Sequence, residues 1–172
     1  MKRLLLLLPL LSFTILDWQP FAVDKRVTVE LPTKPTEAKA ALGKKVGRTR
    51  AWMLRAPEGV YQIMRMPTGL ARADEAARNS YYESLISYTM KEEQGQLLLI
   101  TAFPTDAGPS LEYKYRVIRP GTRQHVTKIV RTLVVDSVAY SLNFIPTDKQ
   151  DSLGLAGAEQ RNRFYNSLAV KL

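Results

Sequence analysis

The sequence predicts an α+β domain: an antiparallel β-sheet of about six to seven strands flanked by helices. Three observations carry this expectation. Over residues 111–146 the chain alternates with a period of two, Leu111, Tyr113, Tyr115 and Val117 against Glu112, Lys114 and Arg116, then again from Val126 to Val135 and over Val138, Tyr140, Leu142 and Phe144, the pattern of successive strands with one buried face. Over 72–91 the period changes. Ala73, Ala77, Tyr81, Leu85 and Tyr88 recur at spacings of four and three, which places them along one stripe of a helix laid on the sheet. Neither an internal repeat nor a second composition regime breaks the chain, so one domain is expected over 23–172.

Residues 1–22 read differently. Met1, Lys2 and Arg3 precede an apolar run over 4–16, the charged and hydrophobic regions of a secretory signal. That run falls short of the roughly twenty apolar residues a membrane-spanning helix needs. No Ala-x-Ala follows it, so an uncleaved N-terminal anchor stands beside cleavage after Ala22 as an expectation. Val27, Val29 and Leu31 then alternate with Thr28 and Glu30 to make a first strand over 25–31, stopped by Pro32 and Pro35, which lack the amide a ladder needs. A basic connection carrying Lys39, Lys44, Lys45, Arg48 and Arg50 leads to strands over 51–56 and 60–66, joined at Pro57, Glu58 and Gly59 as a hairpin. After the helix, 96–103 is a nearly continuous apolar run that predicts a strand covered on both faces. A last helix over 156–168 is expected to bury Phe164 and Leu168, four apart, and to point Arg161 and Arg163 elsewhere.

Composition excludes more than it assigns. With 45% hydrophobic residues the 172-residue chain can bury a core unaided. The absence of cysteine removes disulfides, thiolate metal sites, a cysteine nucleophile and a lipidated cysteine together. His125 is the lone histidine, among Arg123, Gln124 and Lys128, and no Gly-x-Ser-x-Gly turn presents a serine to it; it reads as a surface strand residue. Glu92 and Glu93 are adjacent and diverge from a helix end, so they do not make a metal site. Gly43 to Gly47 has the glycines and lysines of a phosphate loop at the wrong spacing, and no cofactor is expected. The net charge of +9, from 25 basic and 16 acidic side chains, favours anionic partners without choosing one. Lys114, Arg116, Arg119, Arg123, Lys128 and Arg131 interleave with Tyr113 and Tyr115 as in binders of single-stranded nucleic acid. Alternation puts the tyrosines and Lys114 with Arg116 on opposite faces, which argues against nucleic acid. Lys114 and Arg116 remain as anion contacts, with membrane contact weak and screened by salt.

Three short pieces occur in a telling order: Val-Glu-Leu-Pro-Thr-Lys-Pro at Val29 to Pro35, the alanine-rich helix in mid-chain, and Arg-Phe-Tyr-Asn-Ser-Leu at Arg163 to Leu168. The layout resembles that of small exported bacterial proteins with the fold of the photosystem II extrinsic P subunit, PsbP, and the Mog-type Ran-binding protein. The resemblance implies an antiparallel sheet flanked by helices and functions of binding or scaffolding; it transfers no functional residue. The expected function is therefore a non-enzymatic exported domain that binds an envelope protein or component through its sheet edge or a helix-lined groove. The alternative is a carrier of an apolar or amphipathic small molecule between the 72–91 helix and the sheet, in a pocket lined by Trp52, Met64 and Met66.

Overall fold

The computed structural model describes residues 18–38, 49–70, 74–119, 121–148 and 151–171. Its strands are β1 (Gln19–Ala22), β2 (Val27–Leu31), β3 (Thr36–Ala38), β4 (Arg50–Ala56), β5 (Gly59–Pro67), β6 (Gln96–Phe103), β7 (Ser110–Ile118), β8 (His125–Val135), β9 (Val138–Pro146) and β10 (Ala169–Val170), with helices α1 (Glu75–Glu92) and α2 (Ala158–Asn166). Seven strands form one antiparallel sheet in the order β3-β4-β5-β9-β8-β7-β6, and β1-β2-β10 form a smaller one. The predicted class and strand number stand. The predicted hairpin is β4–β5, with Ala56 opposite Gly59, and the predicted meander is β7–β8–β9.

The two faces of the large sheet are covered by different layers. Ile129, Leu133 and Val135 of β8 lie with Leu142 and Phe144 of β9, Trp52, Tyr61 and Ile63, against Phe164 and Tyr165 of α2 and Val27, Val29 and Leu31 of β2. The alternate residues Val130 and Val134, with Tyr113, Tyr115, Val117 and Ala139, lie under Tyr82 and Ile86 of α1. β8 and β9 are thus the strands buried on both faces; the sequence reading had given that place to 96–103. That expectation is corrected, because β6 is the outermost strand and Leu97, Leu98, Leu99 and Ile100 keep between 39% and 58% of their surface exposed.

α1 starts where Asp74 accepts a hydrogen bond from the Ala77 amide at 2.8 Å, with Glu75 in its first turn and Lys91 in its last, charges that suit the helix dipole. The stripe it buries is not the one expected. Tyr82, outside the expected stripe, is 1% exposed, whereas Tyr88, on it, is 63% exposed. Arg161 of α2 is likewise buried, donating from Nη1 to the Gly154 carbonyl at 2.8 Å. At the N-terminus, β1 pairs with β2 across Gln19 and Leu31, and Trp18 packs edge-on against Tyr61 at 5.6 Å. The ordered fold thus begins before residue 23, the boundary read from the sequence.

Two tyrosine hydroxyls stitch these layers to β8. The β8–β9 register ends at Val130 opposite Asn143; at the next pair, the Tyr165 hydroxyl donates to the Ile129 carbonyl at 2.6 Å and accepts from the Phe144 amide at 3.2 Å. On the other face, the β7–β8 register ends at Leu111 opposite Thr132. Two residues further, the Tyr82 hydroxyl accepts from the Val134 amide at 2.9 Å and donates to the Pro109 carbonyl at 3.0 Å. Each hydroxyl occupies a place where the ladder would otherwise close on itself, and satisfies two backbone groups that burial would leave costly. Burial raises both phenol pKa values, so both stay protonated and able to donate.

The small sheet is fastened through Asp24, in the turn between β1 and β2. Its Oδ2 accepts from Arg65 Nε at 2.7 Å and from the Tyr140 hydroxyl at 2.6 Å, and its Oδ1 accepts from the Arg26 and Val27 amides. Burial alone would raise this carboxyl; the hydrogen bonds from Tyr140, Arg65 and the two amides outweigh it and hold the pKa below the ordinary value.

Two predictions follow from these contacts. Tyr165→Phe and Tyr82→Phe should each cost about 1–3 kcal/mol, the penalty of leaving buried backbone groups unpaired, and Tyr88→Phe should shift nothing in the same urea titration. A carboxyl depressed in the folded state contributes stability above its unfolded value and loses it as pH falls through the folded value. Asp24→Asn should therefore lower stability at neutral pH and remove part of the acid-induced loss below the ordinary carboxylate range, read as a flatter plot of urea midpoint against pH.

Candidate protein-docking face

The sequence-predicted site residues separate into two groups. Trp52 pairs in register with Ile63, is 6% exposed and takes the Phe21 ring edge-on at 5.8 Å. Met64 follows Ile63 and so points to the other face, opposite Ala51 and Ser141. Met66 packs there with Tyr82, Val134 and Ala139. The three residues do not line a common pocket, because Trp52 lies on the α2 side of the sheet and the methionines on the α1 side.

Lys114 and Arg116 stay together. They project from the α2 side of β7, with Leu99 and Gln96 of β6 as their register partners. Neither makes an ion pair among the described residues, and the Arg116 Nε is buried without a hydrogen-bond partner. Two further cations of the interleaved stretch, Lys128 and Arg131, are committed elsewhere. Lys128 faces the α1 side and pairs with Glu93 beside the Tyr115 ring. Arg131 is 7% exposed, donates from Nε and Nη2 to Glu112 Oε2 at 3.2 and 2.8 Å and from Nη1 to Asn166 at 3.0 Å, and lies 4.0 Å over Phe103. Lys128 and Arg131 are therefore on opposite faces, and no continuous cationic stripe crosses β7 and β8.

Apolar side chains surround the free pair. Ile118 ends β7 on the same side as Lys114 and Arg116 and is 58% exposed, as is Leu99. Next to them the 151–157 loop lies over β8: Thr127, the register partner of Arg116, donates to the Ser152 carbonyl at 2.6 Å. This loop is rigidly built. Asp151 accepts from the amides of Leu153, Gly154, Leu155 and Ala156 at 2.9–3.2 Å. Burial would raise the Asp151 carboxyl, but these amides hold it below its ordinary value. Gly157, at φ +63°, sits where a Cβ would come within 2.6 Å of the Phe144 ring. The loop is nonetheless arranged to leave Leu153 59% and Leu155 64% exposed.

β6 itself supplies backbone. It pairs with β7 on one side only, and among the described residues nothing pairs with its outer edge. A bulge between Leu97 and Leu99 shifts the register, so Leu97 and Ile100 share the face of Tyr115 and Tyr113 while Leu99 shares that of Lys114. The edge strand is apolar on both faces. Sequence reasoning missed this loop: neither Leu153 nor Leu155 belongs to a predicted element, and only the spacing of Asp151 from four following amides signals a fixed turn.

Reactive chemistry is sparse across this surface. His125 is exposed at the start of β8, and among the described residues no group of three or more histidine and acidic side chains could hold a metal ion. The arrangement can pair with a strand, bury leucine side chains and contact carboxylates.

The architecture is that of a three-layer α+β protein whose large antiparallel sheet is buried centrally and, among the described residues, open at the outer edge of β6. More narrowly, it is a PsbP-like fold. The solution structure of cyanobacterial PsbP (CyanoP) from Synechocystis sp. PCC 6803 matches it with a TM-score of 0.64 at 9% identity, covering 93% of this chain and 96% of that one. No protein-family model matches the chain, and no curated protein matches it by sequence.

Removing the carboxylate that fixes the loop should free its leucines without unfolding the sheet. Hydrogen bonds to a charged group are worth about 1.5–3 kcal/mol each, so in Asp151→Ala the amides of Leu153 to Ala156 should exchange with deuterium about tenfold faster or more. Those of Leu133 and Leu142 should exchange as in the wild type.

Proposed function

We propose that this protein is a non-catalytic binding domain that holds a partner protein by accepting one of its strands at the free edge of β6. The observation that carries the reading is the edge itself: eight residues long, unpaired outward among the described residues, with four consecutive apolar residues between 39% and 58% exposed. Natural sheets usually shield such an edge with charge, proline or a covering element, because an unpaired ladder templates association. At the other end of the sheet, β3 is three residues long and carries Glu37 paired to Arg50, a protected edge by the same criteria. The asymmetry supports use of β6. A peptide backbone is the complement that satisfies its amides and carbonyls, and Lys114 and Arg116 would meet acidic side chains on the incoming segment.

The apolar start of the sequence, behind Lys2 and Arg3, supports placing that partner in the cell envelope. Among the described residues no helix is long and apolar enough to cross a membrane. Because Trp18 and β1 are packed into the fold, a cleaved leader would end before Trp18 rather than at Ala22.

A photo-crosslinking side chain at position 99, introduced in the native host, should give a discrete protein adduct; the same group at position 88, exposed on α1, should not. Placing Leu97→Lys and Ile100→Lys in the crosslinking chain should abolish the adduct while leaving the unfolding free energy from urea titration within about 0.5 kcal/mol of the parent, as for surface substitutions in general. Equal adducts at 88 and 99, or an adduct that survives both lysines, would remove β6 as the docking edge.

A further inference from the structure

We propose a second site, independent of the β6 edge, that binds a single-chain amphiphile with an anionic head: its tail lies over Val60, Val126 and Ile145, and its carboxylate or phosphate head sits between Arg55 and Arg119. These residues line a cleft of about 420 Å³ on the α1 side of the sheet, within the range of roughly 300–1,000 Å³ typical of small-molecule sites. Register explains how they meet. Arg55 is opposite Val60, and Val60 is opposite Ile145, so the three project side by side across β4, β5 and β9. Val126 and Arg119 enter from the two sides of the β7–β8 turn, closed by the Arg119 amide donating to the Gln124 carbonyl at 2.9 Å.

The floor is apolar and open. Ile145 is 42% exposed on a strand whose neighbouring residue, Phe144, is buried on the opposite face. The rim is cationic. Arg55 and Arg119 make no ion pair among the described residues; the Arg119 guanidinium has a single side-chain partner, the Gln124 amide oxygen at 3.3 Å. Asp148 lines the same rim, leaving two guanidinium groups against one carboxylate. An aliphatic chain removes the exposed Val60 and Ile145 surface from water, and a planar guanidinium pair matches the oxygens of a carboxylate or phosphate. A cationic amphiphile would satisfy the floor and be repelled by the rim. A small anion would satisfy the rim and leave the floor exposed.

Calorimetric titration of the full-length protein with laurate and with dodecyl phosphate, each below its micelle concentration, tests this. Saturable one-to-one binding of either is expected, with inorganic phosphate and dodecyltrimethylammonium at least about tenfold weaker, a factor equivalent to about 1.4 kcal/mol. Comparison of laurate with dodecyl phosphate tells which head the rim prefers. Arg55→Gln with Arg119→Gln should weaken both anionic amphiphiles by about tenfold or more, as expected for loss of charge-assisted hydrogen bonds. Ile145→Ser should weaken them while leaving the response to inorganic phosphate unchanged. Backbone amide spectra of the variants confirm that they are folded. Equal affinity for the ammonium amphiphile, equal affinity for phosphate alone, or indifference to the double arginine substitution would each overturn the proposal.

Discussion

Each of the two helices is fastened to β8 through one phenol hydroxyl. Tyr82 from α1 and Tyr165 from α2 approach the strand from opposite faces, and each inserts its oxygen between an amide and a carbonyl of neighbouring strands where the ladder has opened. Such a hydroxyl satisfies a donor and an acceptor at once while its ring fills the core. The strand can therefore part from β9 at one end and from β7 at the other without leaving buried polar groups unpaired. This matters because an antiparallel sheet of seven strands twists, and the layers packed on its two faces need not follow the same strands.

Those layers are offset, and the offset creates both surfaces argued above. A helix is about 10 Å across and strands lie about 4.8 Å apart, so one helix covers roughly two strands. Among the described residues α1 covers β7, β8, the start of β9 and Met66 at the end of β5, leaving the rest of the β4–β5–β9 side of that face to Val60, Met64 and Ile145. On the other face, α2 and the small sheet cover β8, β9, β5 and β4, leaving β6 and β7 with Leu99, Lys114 and Arg116. The two open areas lie diagonally across the sheet. Asp24, Arg65 and Tyr140 fix that diagonal by holding the small sheet over the β5–β9 side.

The meander was legible because its alternation has a single reading: a period of two over β7 and the turns at Gly121 and Asp136 leave little freedom. The run at Leu97 to Ile100 was not, since an apolar strand buried on both faces and an apolar edge strand have the same composition. Strand order decides between them, and order is a tertiary property. The two helix stripes differ by one residue, and the tyrosine that is buried is the one whose hydroxyl reaches Val134, a distance no periodicity contains. The separation of Trp52 from Met64 was available in principle. A two-residue turn at Pro57 and Glu58 sets Ala56 against Gly59, hence Trp52 against Ile63, and one step further along β5 changes face. β1 was hidden by its position next to the apolar run over 4–16 and by Pro20, which is tolerated because β1 is an edge strand.

At 9% identity to cyanobacterial PsbP, what is shared is the arrangement of layers, and the arrangement constrains mostly buried positions. Leu99, Leu153 and Leu155 answer to a different requirement. No packing contact demands leucine at a position left more than half exposed, and a polar residue there would satisfy the fold equally well. The contrast is sharpest at Asp151, where four amide hydrogen bonds and a glycine that admits no side chain fix the shape of a loop whose two leucines contact mainly solvent. Its rigidity would lower the entropy cost to any partner that covers these leucines.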